Sequence, residues 1–361
     1  MELADLLAIV VSLFDAAGQG LAALAMGFTS APTGIGFLVA AVLIFSFGTV
    51  GLVGFEAESL TIVSRIAKRE WKTMVQIVLT AGIIGAILGF FELFGAIVNF
   101  IDGPILAGMM TGVGVILAFV GIDLAKDNKI IGLCSIGAAM ITYLLLRHDE
   151  NGLIYGFAAC FLVSIIVSRF VPFTPIISEY KKEKIQLIPL EGFRFLKNPI
   201  VIRGALALLA LRTGTSIAYM GINEQISGQA INVDHMNIIS GIAGAASGLF
   251  GGAPMEPLIS LSAASPTPNL TTPIFVAIAG ILLIFGVLPR IARHVPLTAI
   301  AGILFLLGAG IAIPENISYV ISDTDMVSGP VTLVVTAATM DPFMGMVAGV
   351  ITRFILGIEI M

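Results

Sequence analysis

Apolar segments long enough to cross a bilayer follow one another through almost the whole of this chain. A helical span needs roughly 17–25 apolar residues, and about fourteen segments meet or approach that length. They run over 3–28, 32–47, 49–64, 73–98, 103–124, 129–147, 152–171, 199–221, 234–250, 252–264, 271–289, 296–313, 328–340 and 342–358. Soluble domains carry about 25% charged residues, whereas here only 11% are charged and 58% are hydrophobic. A soluble fold is excluded. The chain reads as an all-α polytopic protein of a lipid bilayer, placed in the cytoplasmic (inner) membrane of a prokaryote.

The first segment has no basic n-region and no small-residue cleavage site, so it reads as a span and not as a signal peptide. Cys134 and Cys160 both fall in apolar segments and read as buried free thiols. No motif points to nucleic acid, a metal, a nucleotide or any other cofactor. Intramembrane hydrolysis is disfavoured, because the HExxH, Ser/His and Gly-x-Gly-Asp patterns are absent.

The only long polar stretch, 172–198, holds Glu179, Lys181, Lys182, Glu183, Lys184, Glu191, Arg194 and Lys197. It reads as a linker between two halves, 1–171 and 199–361, of seven segments each. Short matches recur in the same order in both halves: Ala25-Met26-Gly27-Phe28 with Tyr219-Met220-Gly221-Ile222, Phe47-Gly48 with Phe250-Gly251, Ala81-Gly82-Ile83 with Ala279-Gly280-Ile281, and Pro104 with Pro296. Such order is what an internal repeat leaves behind. An odd number of spans per half makes the two repeats inverted in the membrane. Basic residues gather after segments three (Arg65, Lys68, Arg69, Lys72), five (Lys126, Lys129), seven and eleven (Arg290, Arg293). On this count the positive-inside rule puts the N-terminus outside the cytoplasm.

Within this pattern the run Ser247-Gly248-Leu249-Phe250-Gly251-Gly252-Ala253-Pro254-Met255-Glu256-Pro257 breaks segment ten. Proline cannot continue a helix and glycine weakens one. A broken helix at membrane depth must be buried in protein or line a cavity. An ionisable residue at such a break is a functional-site hypothesis. The matching region of segment three, Gly54-Phe55-Glu56-Ala57-Glu58-Ser59, carries two more carboxylates. On a strand these would share a face; on a helix they would diverge. Substrate binding is therefore expected around Gly252, Ala253 and Glu256 on one side and Phe55, Glu56 and Glu58 on the other. Phe55 reads either as core or as a ring stacking on a planar ligand.

In segment eight, Arg212 is a charge where an unpaired one is costly, followed by Thr213 and Thr215 as possible hydroxyl ligands. Arg212 reads as an anchor for an anionic substrate, as a regulator of a neighbouring carboxylate, or as the ion-pair partner of Asp15. Glu256, Glu56 and Asp15 are the candidate proton-coupling groups. Glycines spaced by four (85/89, 108/112, 244/248/252) allow close helix contact, within the chain or across a homodimer.

Two passages resemble the nucleobase–cation symporter family, the xanthine, uracil and ascorbate permeases. One is Asn99-Phe100-Ile101-Asp102-Gly103-Pro104-Ile105-Leu106-Ala107-Gly108-Met109-Met110 with Val120-Gly121-Ile122-Asp123-Leu124-Ala125. The other is the Ser-Gly-Leu-Phe-Gly-Gly-x-Pro run that opens segment ten. The resemblance implies a core domain of segments 1–4 and 8–11 moving against a gate domain of segments 5–7 and 12–14. It also implies short strand-plus-helix segments three and ten, and both termini in the cytoplasm. By function it implies a secondary permease for a purine or pyrimidine, driven by protons or sodium ions, in which Glu256 binds paired N–H donors and exchanges a proton. The family's Tyr-Gly-Glu-Asn-Ile-Gly after the proline is compressed here to Met255-Glu256-Pro257, with Ser260 at the ungapped position. The alternative is an anion carrier of the sulfate-permease type, which shares the architecture. Arg212 favours it, and the three glutamates argue against it. The second alternative is a non-transporting membrane protein or an intramembrane enzyme.

Overall fold

A computed structural model describes residues 2–101, 103–149, 151–173, 198–292, 296–322 and 325–357. The polar linker expected at 172–198 lies outside these except at its ends, as do Asp102, Arg293 and His294. The chain forms two compact units: Met1–Leu93 with Pro175–Arg212 and Ala230–Val295, and Phe94–Thr174 with Thr213–Gln229 and Pro296–Met361.

The first unit contains α1 (Leu3–Ala25), α2 (Ser30–Phe47), β1 (Leu52–Gly54), α3 (Ala57–Ile66) and α4 (Trp71–Phe90). The second opens with α5 (Leu93–Phe100), whose first residue is counted with the first unit, then α6 (Gly103–Asp127), α7 (Lys129–Leu145) and α8 (Gly152–Ser168). Helix α9 (Pro199–Ser227) supplies residues to Arg212 to the first unit and from Thr213 to the second. The first unit is completed by α10 (Val233–Leu249), β2 (Glu256–Leu258), a 3-10 turn Leu261–Ala264, α11 (Pro268–Ile284) and α12 (Val287–Ala292). The second is completed by α13 (Ile300–Phe305), a π-helical stretch Leu306–Ala312, α14 (Ile313–Asn316), α15 (Ser328–Thr339) and α16 (Pro342–Leu356).

Among the described residues five stretches are long and apolar enough to cross a membrane: Ser30–Phe47, Trp71–Phe90, Gly103–Asp127, Pro199–Ser227 and Ile300–Tyr319. Five shorter apolar helices accompany them. The segment expected over 73–98 is two helices, because the chain turns at Glu92, where φ is +56°. The chain is not wholly helical: in segments three and ten, where the resemblance implied strand-plus-helix elements, β1 and β2 form a two-stranded antiparallel sheet.

In lipid, helices associate through close packing, and small residues permit it. In the first unit the glycines meet in pairs. A Cβ on Gly82 of α4 would lie 2.7 Å from the Gly241 carbonyl of α10, and one on Gly241 would lie 2.6 Å from the Gly82 carbonyl. Gly34 of α2 and Gly280 of α11 oppose each other in the same way. Asp5 of α1 accepts the Thr267 amide (3.1 Å) and the Thr271 hydroxyl (3.3 Å), tying α1 to the start of α11. In the second unit Gly108 and Gly112 of α6 bring the helix onto Gly329 and Thr336 of α15. The four-spaced glycines at 85, 89, 108, 112, 248 and 252 thus all face neighbours in the same chain. Cys134 and Cys160 are free thiols.

Asp325 precedes α15, and its Oδ1 accepts the amides of Ser328 (2.8 Å) and Val327 (3.1 Å). Burial alone would push this loop carboxyl up. The hydrogen bonds from Ser328 and Val327 and the charge of the buried Arg353 outweigh it and hold the group below the usual carboxylate range.

Two outcomes follow for thermal unfolding in detergent. Gly241→Val overpacks the α4–α10 contact and is expected to cost about 1–3 kcal/mol, whereas Gly137→Ala, with open space around it, leaves the midpoint unchanged or slightly raised. Asp325 has a folded pKa below its unfolded value of about 3.9, so its contribution is present at neutral pH and disappears as pH falls through the folded value. Asp325→Asn should lower the midpoint at neutral pH, and the gap to the parent should close in acid.

Candidate functional site

The stretch after α10 cannot be helical. Gly251 adopts φ +94° and packs under the Trp71 ring, leaving no room for a Cβ. Beyond it Pro254 and Pro257 hold the chain extended, a conformation proline favours. An extended chain at this depth has backbone groups that water does not reach, and each must find a partner. Thr29 forms a parallel bridge to Gly252 and donates its hydroxyl to the Gly251 carbonyl at 2.6 Å. Thr33 Oγ1 accepts the Ala253 amide at 2.8 Å, and Ser247 donates to the Ala253 carbonyl at 2.6 Å. Ser240 donates to the Met255 carbonyl at 2.5 Å. From there β2 pairs with β1, Leu52 opposite Leu258, Val53 opposite Pro257 and Gly54 opposite Glu256. Two broken segments far apart in sequence therefore satisfy each other.

Glu256 and Arg212 are fully buried, with side chains 0% and 1% exposed. The Arg212 guanidinium grips the carboxylate with two donors: Nε to Oε2 at 2.6 Å and Nη2 to Oε1 at 2.5 Å. Nη1 points to the Ala81 carbonyl of α4 at 3.4 Å. Gly85, one turn further along α4, leaves the space that this nitrogen occupies. The charges thus meet in a charge-assisted, bidentate pair. Arg212 has a carboxylate partner in Glu256; Asp15, the partner that the alternative expectation named, is half-buried on α1.

Glu56 is buried at the N-cap of α3 and accepts a hydrogen bond from the Ser59 hydroxyl. The Phe55 ring lies 5.2 Å from that of Phe37 and over Gly20, where a Cβ would meet it at 3.3 Å. The Glu58 side chain lies outside the described residues. Gly252 and Ala253 are buried between α2 and α10. Thr213 and Thr215 belong to the second unit; Thr215 is buried, and the Thr213 carbonyl accepts the Ser216 hydroxyl at 3.3 Å. Ser260 caps the 3-10 turn, accepting the Ala263 amide at 3.1 Å, and its hydroxyl continues through Ser262 to Thr272 in steps of 2.8 Å.

Sequence reasoning missed Thr33, Ser240, Ser247 and this hydroxyl chain. A signal existed for two of them: Ser240 and Ser247 are seven residues apart in a glycine-rich helix, hence on one face.

No protein-family model matches the chain, and no curated protein does. Solved structures do. The transmembrane domain of a cyanobacterium bicarbonate transporter, BicA, aligns over 97% of this chain and 98% of its own, with TM-score 0.63 and 15% identity. The murine Solute Carrier 26 family member A9 anion transporter, in its inward-facing state, aligns over 99% of this chain and 68% of its own, with TM-score 0.58 and 16% identity. A further SLC26A9 structure aligns over 94% and 65%, with TM-score 0.52 and 13% identity. The chain is a multi-pass integral membrane protein with the fold of these transporters. The expected kinship with nucleobase–cation symporters is corrected: the neighbours are anion transporters. The glycine-proline break that suggested the kinship marks architecture, the strand pair, and not cargo.

Removing one partner of a buried ion pair leaves an uncompensated charge and costs roughly 3–5 kcal/mol. Arg212→Met and Glu256→Met should each lose stability on that scale, measured by thermal unfolding. The double replacement should recover most of the loss, because no lone charge is left behind.

Proposed function

We propose that this chain transports a small inorganic anion across the bilayer, with the ion bound near the meeting of the two breaks formed by β1–α3 and β2. The observation that carries this reading is the state of the Glu256 carboxylate. Both oxygens are held by Arg212 and the side chain is 0% exposed, so it offers no accessible oxygen to the paired N–H donors of a planar base. Its charge is also cancelled at contact distance, which removes the main repulsion that the sequence set against an anion. A fold held in common with a bicarbonate transporter and with anion transporters supports the same reading.

In this proposal Glu256 is a fixed charge that positions β2, and the proton-carrying role falls to Glu56. A proton on this buried carboxylate would remove a negative charge beside the anion, so that uptake of one favours uptake of the other. Asp15 is a second candidate for the same task.

The test is uptake into proteoliposomes of labelled bicarbonate, sulfate and chloride, with uracil and xanthine as comparison. Saturable uptake of at least one anion, competed by the others and not by the bases, is expected; base uptake without anion uptake would overturn the proposal. If Glu56 carries the proton, anion uptake rises with an inward proton gradient in the parent and becomes independent of that gradient in Glu56→Gln. A parent-like pH response in Glu56→Gln would remove it from the mechanism.

A further inference from the structure

A cleft of about 510 Å³ opens beside the C-terminal end of α3, lined by Met26, Thr61, Ser64, Arg65, Lys68 and Arg69. It lies wholly within the first unit. Thr61, Ser64 and Arg65 share one face of α3 by their spacing of three and four residues. The chain then reverses through two consecutive left-handed residues, Lys68 at φ +50° and Arg69 at φ +60°. Side-chain-bearing residues adopt this conformation at an energetic cost. Here it is held by the Lys68 amide on the Arg65 carbonyl (3.1 Å) and the Arg69 amide on the Ser64 carbonyl (2.9 Å). The turn brings three cations and two hydroxyl side chains to one cleft, in a chain whose net charge is −5.

One plain account is the positive-inside rule, which gathers basic residues in this loop but does not ask them to share one cleft; another is that they complement the carbonyl end of α3. That explains Arg65, in the last turn. It does not explain why two further cations occupy strained positions on the same concavity. All three are exposed, and among the described residues none forms an ion pair. The nearby Glu70 carboxylate accepts instead from the Thr73 hydroxyl at 2.7 Å. Trp71, which opens α4, is 42% exposed. Tryptophan beside lysine and arginine at a helix end marks the depth of lipid headgroups.

The geometry points to a binding site for a phosphate-bearing anion in this cleft, at the membrane surface. The arginine forks match phosphate oxygens, the lysine adds a point charge, and the two hydroxyls donate from the wall. The same chemistry fits a lipid phosphodiester and free phosphate. It makes no use of the strand pair, so it stands or falls apart from the transport reading.

Trp71 is the only tryptophan in the chain and lies two residues beyond Arg69 of the cleft lining, so its emission reports on the surroundings of the cleft. The full chain would be placed in phosphatidylcholine nanodiscs and titrated with inorganic phosphate, and separately placed in discs containing increasing phosphatidylglycerol. Native mass spectra would record which of the two stays bound. A saturable change in emission is expected, weakened about tenfold or more when the charge-assisted contacts are removed in Arg65→Gln/Lys68→Gln/Arg69→Gln. A second variant, Lys68→Gly/Arg69→Gly, suits the left-handed backbone and removes two charges without disturbing the turn, so the same weakening there excludes a folding defect. A response to phosphate in phosphatidylcholine discs assigns the free ion; a response to phosphatidylglycerol alone, or phosphatidylcholine retained by the parent and not by the variants, assigns a lipid headgroup. No change in emission together with no retained phosphate or lipid overturns the proposal, and so does a response equal in parent and variants.

Discussion

Inside a bilayer a backbone that leaves the helix must find every hydrogen bond within the protein, and the first unit is organised around that demand. Two segments stop being helical, one after α2 and one after α10. Each then serves as the other's hydrogen-bonding partner through β1 and β2. Where the sheet ends, hydroxyls from the flanking helices take over: Thr29 and Thr33 from one side, Ser240 and Ser247 from the other. Gly36 of α2, which packs on Ser247 and the Ala243 carbonyl of α10, brings those two helices close enough for such short side chains to reach. Tight packing and backbone satisfaction are therefore one device.

The same break brings a carboxylate to full burial, where an isolated charge is untenable. Arg212 answers it with a two-donor grip, and Gly85 clears the space that the guanidinium needs. Buried pairs of this kind contribute little net stability, yet are costly to split. Their consequence here is electrostatic. A site that looks strongly acidic in sequence is close to neutral at Glu256, which changes the class of solute it can be expected to hold.

How far the chain could be read in advance varied with the range of the interaction. Apolar length and the Gly-Pro run are local, and they placed α10 and the break after it to within a residue or two; that the break holds a strand was implied only by the resemblance. The stop at Glu92 was not legible, because a left-handed glutamate carries no compositional mark. The partner of Arg212 was not legible either. Asp15 was the carboxylate expected there, and spacing along a helix does not say which of several distant segments passes nearest. The nucleobase resemblance went wrong for a related reason: a motif that specifies a break was taken to specify what the break binds.

Alone, the sequence determined that this chain lies in a membrane, that it crosses as helices, and that two of its segments are interrupted. These follow from hydrophobic length and from the backbone limits of glycine and proline, which act within a few residues. Only the tertiary structure decided that the interruptions pair as antiparallel strands, that serine and threonine hydroxyls complete them, and that Glu256 is neutralised across 44 residues of chain by Arg212. Those outcomes depend on which surfaces come into contact, and contact distances across the fold are set by packing, not by local pattern.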